Sequence, residues 1–459
     1  MSTRAAAMSN ADDAERSRQL RRAIIASTVG TTIEWYDFFL YSTVTPLVFA
    51  QLFFPGSDPL TGTLNSFGIY FVGFLARPIG AAIFGHYGDR IGRKAALIAS
   101  LLLMGIGTFF VALVPGYNSI GIWGAVILSV LRFIQGVGVG GEWGGSVLLA
   151  MEWGRHGRRG FNASWPQFGV PAGLLLANLA VLFFSLVSGP DFINWGWRIP
   201  FVLSLVLVAV GLWIRLGILE TPIFQRLVAD RQLERQPVLE VIKRHPKEII
   251  LAALVRLSEQ APFYIFTSFV FTYAVGTSGL GFDRNFVLLP VMVASALGFI
   301  TIPTFGHLSD KLGRKPVYMA GAALTGLFGF VYFGLLDTRV ATLVFIAIAI
   351  SLIPHDVQYG PQAAMIAESF PARLRYSGAS IGYQLASVFA GGPAPLIATA
   401  LFGAYKTGMA VAAYIGVCAV ITLIATSLMR ERAKVDIAEE YGEVEAVVGG
   451  ASVVPAPGR

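Results

Sequence analysis

The amino-acid sequence predicts an all-α integral membrane fold, with twelve transmembrane helices in two pseudo-symmetric six-helix bundles. Three observations carry this expectation. The 459 residues are 55% hydrophobic and only 13% charged, about half the charge that an ordinary globular surface carries. Apolar stretches of about 20 residues, the length that crosses a bilayer, recur from end to end. A ten-residue polar loop also occurs twice, 221 positions apart. A soluble chain of this length would divide into several domains and need a charged surface to cover them. This sequence has no such surface to offer.

The apolar stretches lie at 23–50, 64–87, 95–114, 120–150, 163–187, 197–217, 249–276, 286–308, 316–336, 340–367, 377–402 and 406–429. The connections on one side of the bilayer and the two tails hold 27 Lys and Arg residues, against Arg198, Arg284, Arg339 and Lys406 on the other. Positive loops mark the cytoplasmic side, so both termini and the long central loop are expected there, in a multi-pass protein of the cytoplasmic membrane. The chain divides into a tail (1–22), a six-helix bundle (23–217), a central loop (218–248), a second bundle (249–429) and a second tail (430–459). The first twenty-odd residues are polar and Arg-bearing, with no short apolar core and cleavage site. No cleaved signal peptide is expected, and the first apolar segment stays as a helix.

Composition also excludes several functions. The one cysteine, Cys418, lies in an apolar run, and the histidines at 86, 156, 245, 307 and 355 lack metal-ligand spacing, so no metal site is expected. The net charge of +7 comes from small clusters between spans rather than one basic face, which speaks against nucleic acid. Gly136-Val-Gly138-Val-Gly140-Gly141 fits the dinucleotide fingerprint but lies inside a span with no preceding strand, so its glycines are read as helix-packing positions. No catalytic constellation and no cofactor are expected. The partners are a small-molecule substrate, protons and the lipid bilayer; oligomeric state is not legible, and a monomer is compatible with the sequence.

The repeat supports the two-bundle plan. Gly85-His-Tyr-Gly-Asp89-Arg-Ile-Gly-Arg93-Lys94 returns as Gly306-His-Leu-Ser-Asp310-Lys-Leu-Gly-Arg314-Lys315. A second echo places Glu152 seven residues before Arg159, and Glu368 seven before Arg375. Parallel halves of this kind are a known transporter plan.

Charges within the spans are few, and each costs about 2.5–3.5 kcal/mol on insertion scales, so they are candidates for function. Helix 1 carries Glu34 and Asp37 three residues apart, with Tyr41 a turn further on the same face. Glu34 is about 11 residues in, hence roughly 16 Å deep; Arg132, entering helix 4 from the other side, reaches roughly 18 Å. The two acids and the arginine can meet at one depth. Two carboxylates beside a guanidinium form a coupled titration suited to a proton site; a static ion pair joining helices 1 and 4 is the other reading. Arg77, mid-membrane in helix 2, is either a bidentate anchor for a substrate carboxylate or a partner of Glu34 or Asp37. In helix 7, Arg256, Glu259 and Gln260 share a face followed by Tyr264, lining a cavity or pairing within the helix. Gln167, Asp356, Tyr359 and Gln384 are at similar depth, where substrate contact and helix–helix hydrogen bonding explain them equally well.

The duplicated Gly-x-x-x-Asp-Arg-x-Gly-Arg-Lys loop resembles the signature of the major facilitator superfamily, and the resemblance runs the length of the chain. It implies that Asp89 and Arg93 form a charge relay with Glu152 at the cytoplasmic end of helix 4, and that Asp310, Arg314 and Glu368 repeat this cytoplasmic gate. Arg132-Phe-Ile-Gln135-Gly136-Val-Gly138 is similar to a fourth-helix motif linked in the family to proton coupling. Ile33-Glu34-Trp35-Tyr36-Asp37-Phe38, Gly140-Gly-Glu142-Trp143-Gly-Gly145, Trp195-Gly-Trp197-Arg198-Ile-Pro200 and Tyr359-Gly-Pro361-Gln-Ala-Ala364 resemble the metabolite:proton symporter branch. That branch carries shikimate, α-ketoglutarate, citrate, proline or betaine. The resulting expectation is a proton-coupled symporter importing a small organic acid, with Glu34, Asp37 and Arg132 at the proton and Arg77 at the substrate carboxylate. A symporter of a zwitterion such as proline or betaine, and a non-transporting sensor of the same fold, are the alternatives.

Overall fold

The computed structural model of the protein describes residues 2–57, 59–154, 156–230, 234–275 and 280–435. Helix 1, Ser2–Val44, continues through a π-helical turn at Thr45–Phe49. Helices 2 to 6 are Pro59–Ile91, Arg93–Leu113, Trp123–Glu152, Arg159–Ser188 and Arg198–Leu216. Two short helices follow, Pro222–Ala229 and Pro237–Arg244. Helix 7 comprises Pro246–Val255, Leu257–Tyr264, a π-helical turn at Ile265–Phe269 and Val270–Ala274. Helices 8 and 9 are Arg284–Leu312 and Arg314–Asp337, and helix 10 is split into Ala341–Ala349 and Leu352–Ala367. Helix 11 runs Arg375–Ala386, Ser387–Gly391 and Ala394–Tyr405, broken where Gly391-Gly392-Pro393 stands, and helix 12 is Gly408–Leu428. Among the described residues the only β feature is an isolated bridge between Val275 and Phe282.

Hydrocarbon offers backbone groups no hydrogen-bond partner, so spanning segments satisfy them internally as helices. Eleven of the described helices are long and apolar enough to cross a membrane. Helix 1 completes the twelve by packing along helix 5. Its hydropathy is diluted by Glu34, Asp37 and the threonines Thr28, Thr31 and Thr32, the same residues that put chemistry into it. Large apolar side chains point outward, Trp213 at 77% and Leu186 at 74% exposure, as expected where the surroundings are lipid.

Helices 2 and 3 pack on helix 4, and helix 10 packs on helices 8 and 9. The halves meet through helix 5 against helix 8 and helix 2 against helix 11, contacts that interchange when the halves are exchanged. The π-helical turns of helices 1 and 7 also correspond, at an offset of 220. The expected central loop 218–248 contains the two short helices; its residues 231–233, like 436–459 of the expected C-terminal tail, lie outside the described residues. The expected N-terminal tail 1–22 is helical from Ser2 and continuous with helix 1.

Two turns place the repeated loop. Gly92 at φ 119° and Gly313 at φ 97° break helix 2 from helix 3 and helix 8 from helix 9, a backbone region that glycine enters without steric cost. Helices 2 and 4 approach so closely that a Cβ on Gly140 would lie 2.1 Å from the Arg77 carbonyl oxygen, whereas one on Gly403 would meet nothing within 4 Å. Gly140→Ala is therefore expected to destabilise the protein by about 1–3 kcal/mol, the usual cost of overpacking, and Gly403→Ala to be neutral or mildly stabilising. Thermal unfolding of the purified variants measures the difference.

Candidate functional site

The centre of the N-terminal half is built on helix 1. Asp37 is 2% exposed; its Oδ2 accepts hydrogen bonds from Thr108 of helix 3 at 2.8 Å and Ser204 of helix 6 at 3.2 Å. Its Oδ1, like Oε2 of the equally buried Glu34, has no partner. Gln135 of helix 4 donates to Thr108 at 2.7 Å, and Arg132 donates to Gln135 at 3.3 Å. The expected meeting of Asp37 and Arg132 is thus a chain, Asp37–Thr108–Gln135–Arg132, and no carboxylate lies within 4 Å of Arg132 among the described residues. What holds the guanidinium instead is aromatic: its carbon sits 4.3 Å from the Tyr41 ring centre, 4.9 Å from Phe38 and 5.0 Å from Tyr70. Desolvated contacts of this kind contribute about 2 kcal/mol or more each.

Arg77 of helix 2 is placed the same way. It is 2% exposed, stacks 4.5 Å from Phe38 and from Phe74 and 5.7 Å from Trp35, and its Nη2 has no partner. It forms no ion pair with Glu34 or Asp37, the alternative that its depth left open.

The other half differs. Arg256 sits in the break of helix 7 and pairs with Glu259 at 3.1 Å; it also donates to the Tyr383 carbonyl and covers that ring. Glu259 further accepts from Gln362 at 3.1 Å and lies 3.5 Å from His355. Arg256, Glu259, Tyr264, His355 and Tyr359, with Trp35 from helix 1, line a small cavity of about 10 Å³ between the halves, the space of roughly one water molecule. Asp356 faces an adjoining cavity of similar size. Gln167 and Gln384 serve differently: Gln167 accepts from Trp143 at 2.8 Å and donates to the Tyr359 carbonyl at 3.4 Å, and Gln384 donates to the Val139 carbonyl at 3.4 Å. Both tie one half to the other rather than line either cavity.

At the end of the bundle that carries the repeated loops, the six expected gate residues assemble into two related networks. Asp89 is 3.3 Å from Arg93, which is 3.8 Å from Glu152. Arg314 binds Asp310 at 2.8 Å and Glu368 at 3.1 Å. Each loop aspartate also crosses to the opposite half and accepts backbone N–H groups at a helix N-terminus, where the helix dipole favours a carboxylate. Asp89 takes Tyr376 and Ser377 of helix 11, and Asp310 takes Gly160 and Phe161 of helix 5. The adjoining arginines cross too: Arg159 lies 2.9 Å from Glu368, and Arg375 lies 3.7 Å from Glu152. This face is closed by a swapped pair of latches.

Sequence reasoning left Arg159 and Arg375 out of that gate, although the shared Glu-to-Arg spacing of seven was the signal for them. It also missed a buried pair between Glu142 of helix 4 and Arg215 at the end of helix 6, with Ser100 and Ser146 donating to the same carboxylate at 3.2 and 3.0 Å. Arg215 looked like one more loop arginine. His355 was counted among scattered histidines.

Two homologous six-helix halves that meet around buried charge and latch at one end define a secondary transporter. The family model of the Major Facilitator Superfamily matches residues 28–395 and 277–455. The inner membrane metabolite transport protein YhjE of Escherichia coli is 40% identical over 415 residues, 89% of this chain and 94% of that protein. The shikimate transporter of the same organism is 39% identical over 416 residues, 90% and 94% of the two chains, and its proline/betaine transporter 31% identical over 426, 90% and 84%. Among solved structures, the proton:xylose symporter XylE bound to 6-bromo-6-deoxy-D-glucose superposes with a TM-score of 0.74 at 17% identity, covering 94% of this chain and 99% of that one, a likeness of fold. The chain belongs to the major facilitator superfamily. It is a multi-pass membrane transporter and not an enzyme.

The latches make a testable statement about exposure. Ser380 of helix 11 is buried between the halves against Gly144. A thiol introduced by Ser380→Cys is expected to react slowly with a polar maleimide, and at least ten times faster when Asp310→Ala is added. A tenfold change corresponds to about 1.4 kcal/mol lost from the closed state. Stopped labelling of purified protein gives the two rates.

Proposed function

We propose that the protein is a proton-coupled symporter that imports a small organic acid, such as shikimate or a di- or tricarboxylate, across the cytoplasmic membrane by alternating access, with both termini in the cytoplasm. One observation carries the reading: two buried carboxylates with unpartnered oxygens, Glu34 and Asp37, share the centre with two buried guanidiniums, Arg77 and Arg132, that have no carboxylate partner within 4 Å among the described residues.

The chemistry follows from charge balance. With both acids ionised, these four groups sum to zero. A substrate carboxylate entering alone adds an uncompensated buried charge, and a proton entering alone does the same with opposite sign. Together they leave the sum unchanged, so each favours entry of the other. Asp37 takes its proton on Oδ1, because Oδ2 is already engaged by Thr108 and Ser204. Arg77 presents its planar fork to the substrate, which suits bidentate binding of a carboxylate. Loss of the swapped latches, with rocking of helix 5 against helix 8 and helix 2 against helix 11, would open the loop-bearing face and release both.

The zwitterion reading draws on the proline/betaine transporters among the relatives. Against it, the aromatic faces of Phe38 and Phe74 that would receive a quaternary ammonium are covered by Arg77. A sensor of the same fold would bind its ligand without accumulating it.

Uptake into proteoliposomes tests the assignment. Asp37→Asn mimics the protonated acid and is expected to abolish accumulation driven by a pH gradient; Glu34→Gln is expected to reduce it at least tenfold. Full accumulation in both variants would remove the proton site from helix 1. Arg77→Lys keeps the charge but loses the fork, and the half-saturating substrate concentration should rise at least tenfold. A thermal-shift panel of organic acids and zwitterions on the purified protein identifies the substrate class, because a ligand of the folded state raises its apparent stability.

A further inference from the structure

His355 of helix 10 takes no part in the centre just described. It is 2% exposed, and it lines both cavities between the halves. Its Nδ1 is 2.9 Å from Asp356 Oδ1, and its Nε2 is 3.5 Å from Glu259 Oε1 with no hydrogen bond of its own. Phe263 and Tyr359 cover the ring, with centroids at 5.2 and 4.9 Å.

Every element packed around the imidazole can be inventoried. Helix 7 brings Glu259, with Arg256 bound to it, and the Tyr264 phenol. Helix 10 brings Asp356 and Tyr359, and helix 8 brings Ser295 and Thr301, whose hydroxyl donates to the other Asp356 oxygen. Helix 5 brings only Val170, Pro171 and Leu174, and helix 1 brings Trp35. The fixed charges are two carboxylates and one guanidinium. A neutral imidazole would leave one buried negative charge uncompensated, while an imidazolium closes the sum and places an N–H toward each carboxylate.

We propose that His355 is a second proton-carrying group, located in the C-terminal half, whose charge follows the hydration of the cavity it lines. This rests on the reading of the protein as proton-coupled, and it adds a group that the helix 1 centre does not need. In the closed cavity, the ring carries protons on both nitrogens. When the cavity fills with water, the Nε2–H bond breaks, the proton passes to water and the electron pair stays on nitrogen. Asp356 keeps the Nδ1–H as its partner, and Glu259 keeps Arg256 and Gln362, so neither carboxylate is abandoned. The arrangement makes His355 the group that can let go: its Nε2 lines the cavity without a hydrogen bond of its own, whereas Arg256 is bonded to Glu259 and to the Tyr383 carbonyl.

Two measurements test this. In proteoliposomes loaded with unlabelled shikimate, exchange with labelled shikimate involves no net proton movement, whereas accumulation driven by a pH gradient does. His355→Gln is expected to retain exchange within about twofold and to lose accumulation at least tenfold. Accumulation equal to that of the unaltered protein would overturn the proposal, as would an equal loss of exchange and accumulation, which marks a structural role. Should the variant fail to fold, nitrogen resonances of labelled histidine in the unaltered protein decide. The resonance protected from a water-soluble relaxation agent is expected to show both ring nitrogens protonated at pH 7.5, and a neutral ring there would overturn the proposal. Exchange without gradient-driven uptake in the unaltered protein would instead sink the proton-coupled reading itself, a result distinct from full coupling in His355→Gln.

Discussion

The structure depends on one constraint: a charge inside hydrocarbon must be compensated by something in the protein. The chain meets this in two ways, and the difference between them sorts the buried charges by role. Some are paired and hydrogen-bonded in full, as Glu142 is by Arg215, Ser100 and Ser146, or Arg256 by Glu259 and the Tyr383 carbonyl. Such pairs hold helices in register, and removing one partner of a buried pair typically costs about 3–5 kcal/mol. Others, Glu34, Asp37, Arg77 and Arg132, are compensated only at a distance, through an intervening hydroxyl, an amide or an aromatic face. They keep unused bonding capacity, which a proton and a carboxylate can take up.

The closed end obeys the same rule with a geometric twist. Each latch takes its aspartate, arginine and glutamate from one half and its helix N-terminus and second arginine from the other. Arg159 and Arg375 stand at the N-termini that Asp310 and Asp89 cap, so separating the halves breaks an ion pair and a pair of N–H contacts in the same movement. The two latches share the interface, so a rigid rocking that parts the halves strains both. That is how two packed bodies become bistable rather than continuously deformable. The tail joins in: Arg159 also donates to the carbonyls of Arg432, Ala433 and Val435, just beyond helix 12.

Much of this was legible because lipid imposes strong patterns on sequence. The spans and the repeat follow from hydropathy and duplication, the gate residues from the family resemblance that the repeated loops carry, and the level of Glu34, Asp37 and Arg132 from depth arithmetic. What was not legible depends on contacts between distant positions. Glu142 and Arg215 are 73 residues apart and announce each other by no spacing. Thr108 and Ser204 are ordinary residues of apolar helices until Asp37 is placed between them. Depth arithmetic put Arg132 level with the acids, but it could not foresee that Tyr41 and Phe38 would occupy the space between. The break in helix 10 at Ile350-Ser351 lies one turn before Pro354, which has no N–H to give the Ile350 carbonyl, whereas the break in helix 7 falls at Arg256, where no glycine or proline stands.

The symmetry of the two halves is closest at the latches and weakest at the centre, and the contrast bears on mechanism. A gate has the same task in both halves, so equivalent residues can do it. A binding site between the halves has to favour one ligand in one orientation, which two equivalent walls cannot provide. The N-terminal wall offers undercompensated charge and aromatic faces. The C-terminal wall offers a neutralised, hydrogen-bonded cluster of Arg256, Glu259, Gln362, His355 and Asp356. In the proposed reading, the first wall takes a proton at Asp37 and holds the carboxylate, while the second carries a proton at His355 and closes the site from the other side. Rocking about the shared interface then changes the distance between unlike walls, so movement and occupancy cannot be independent.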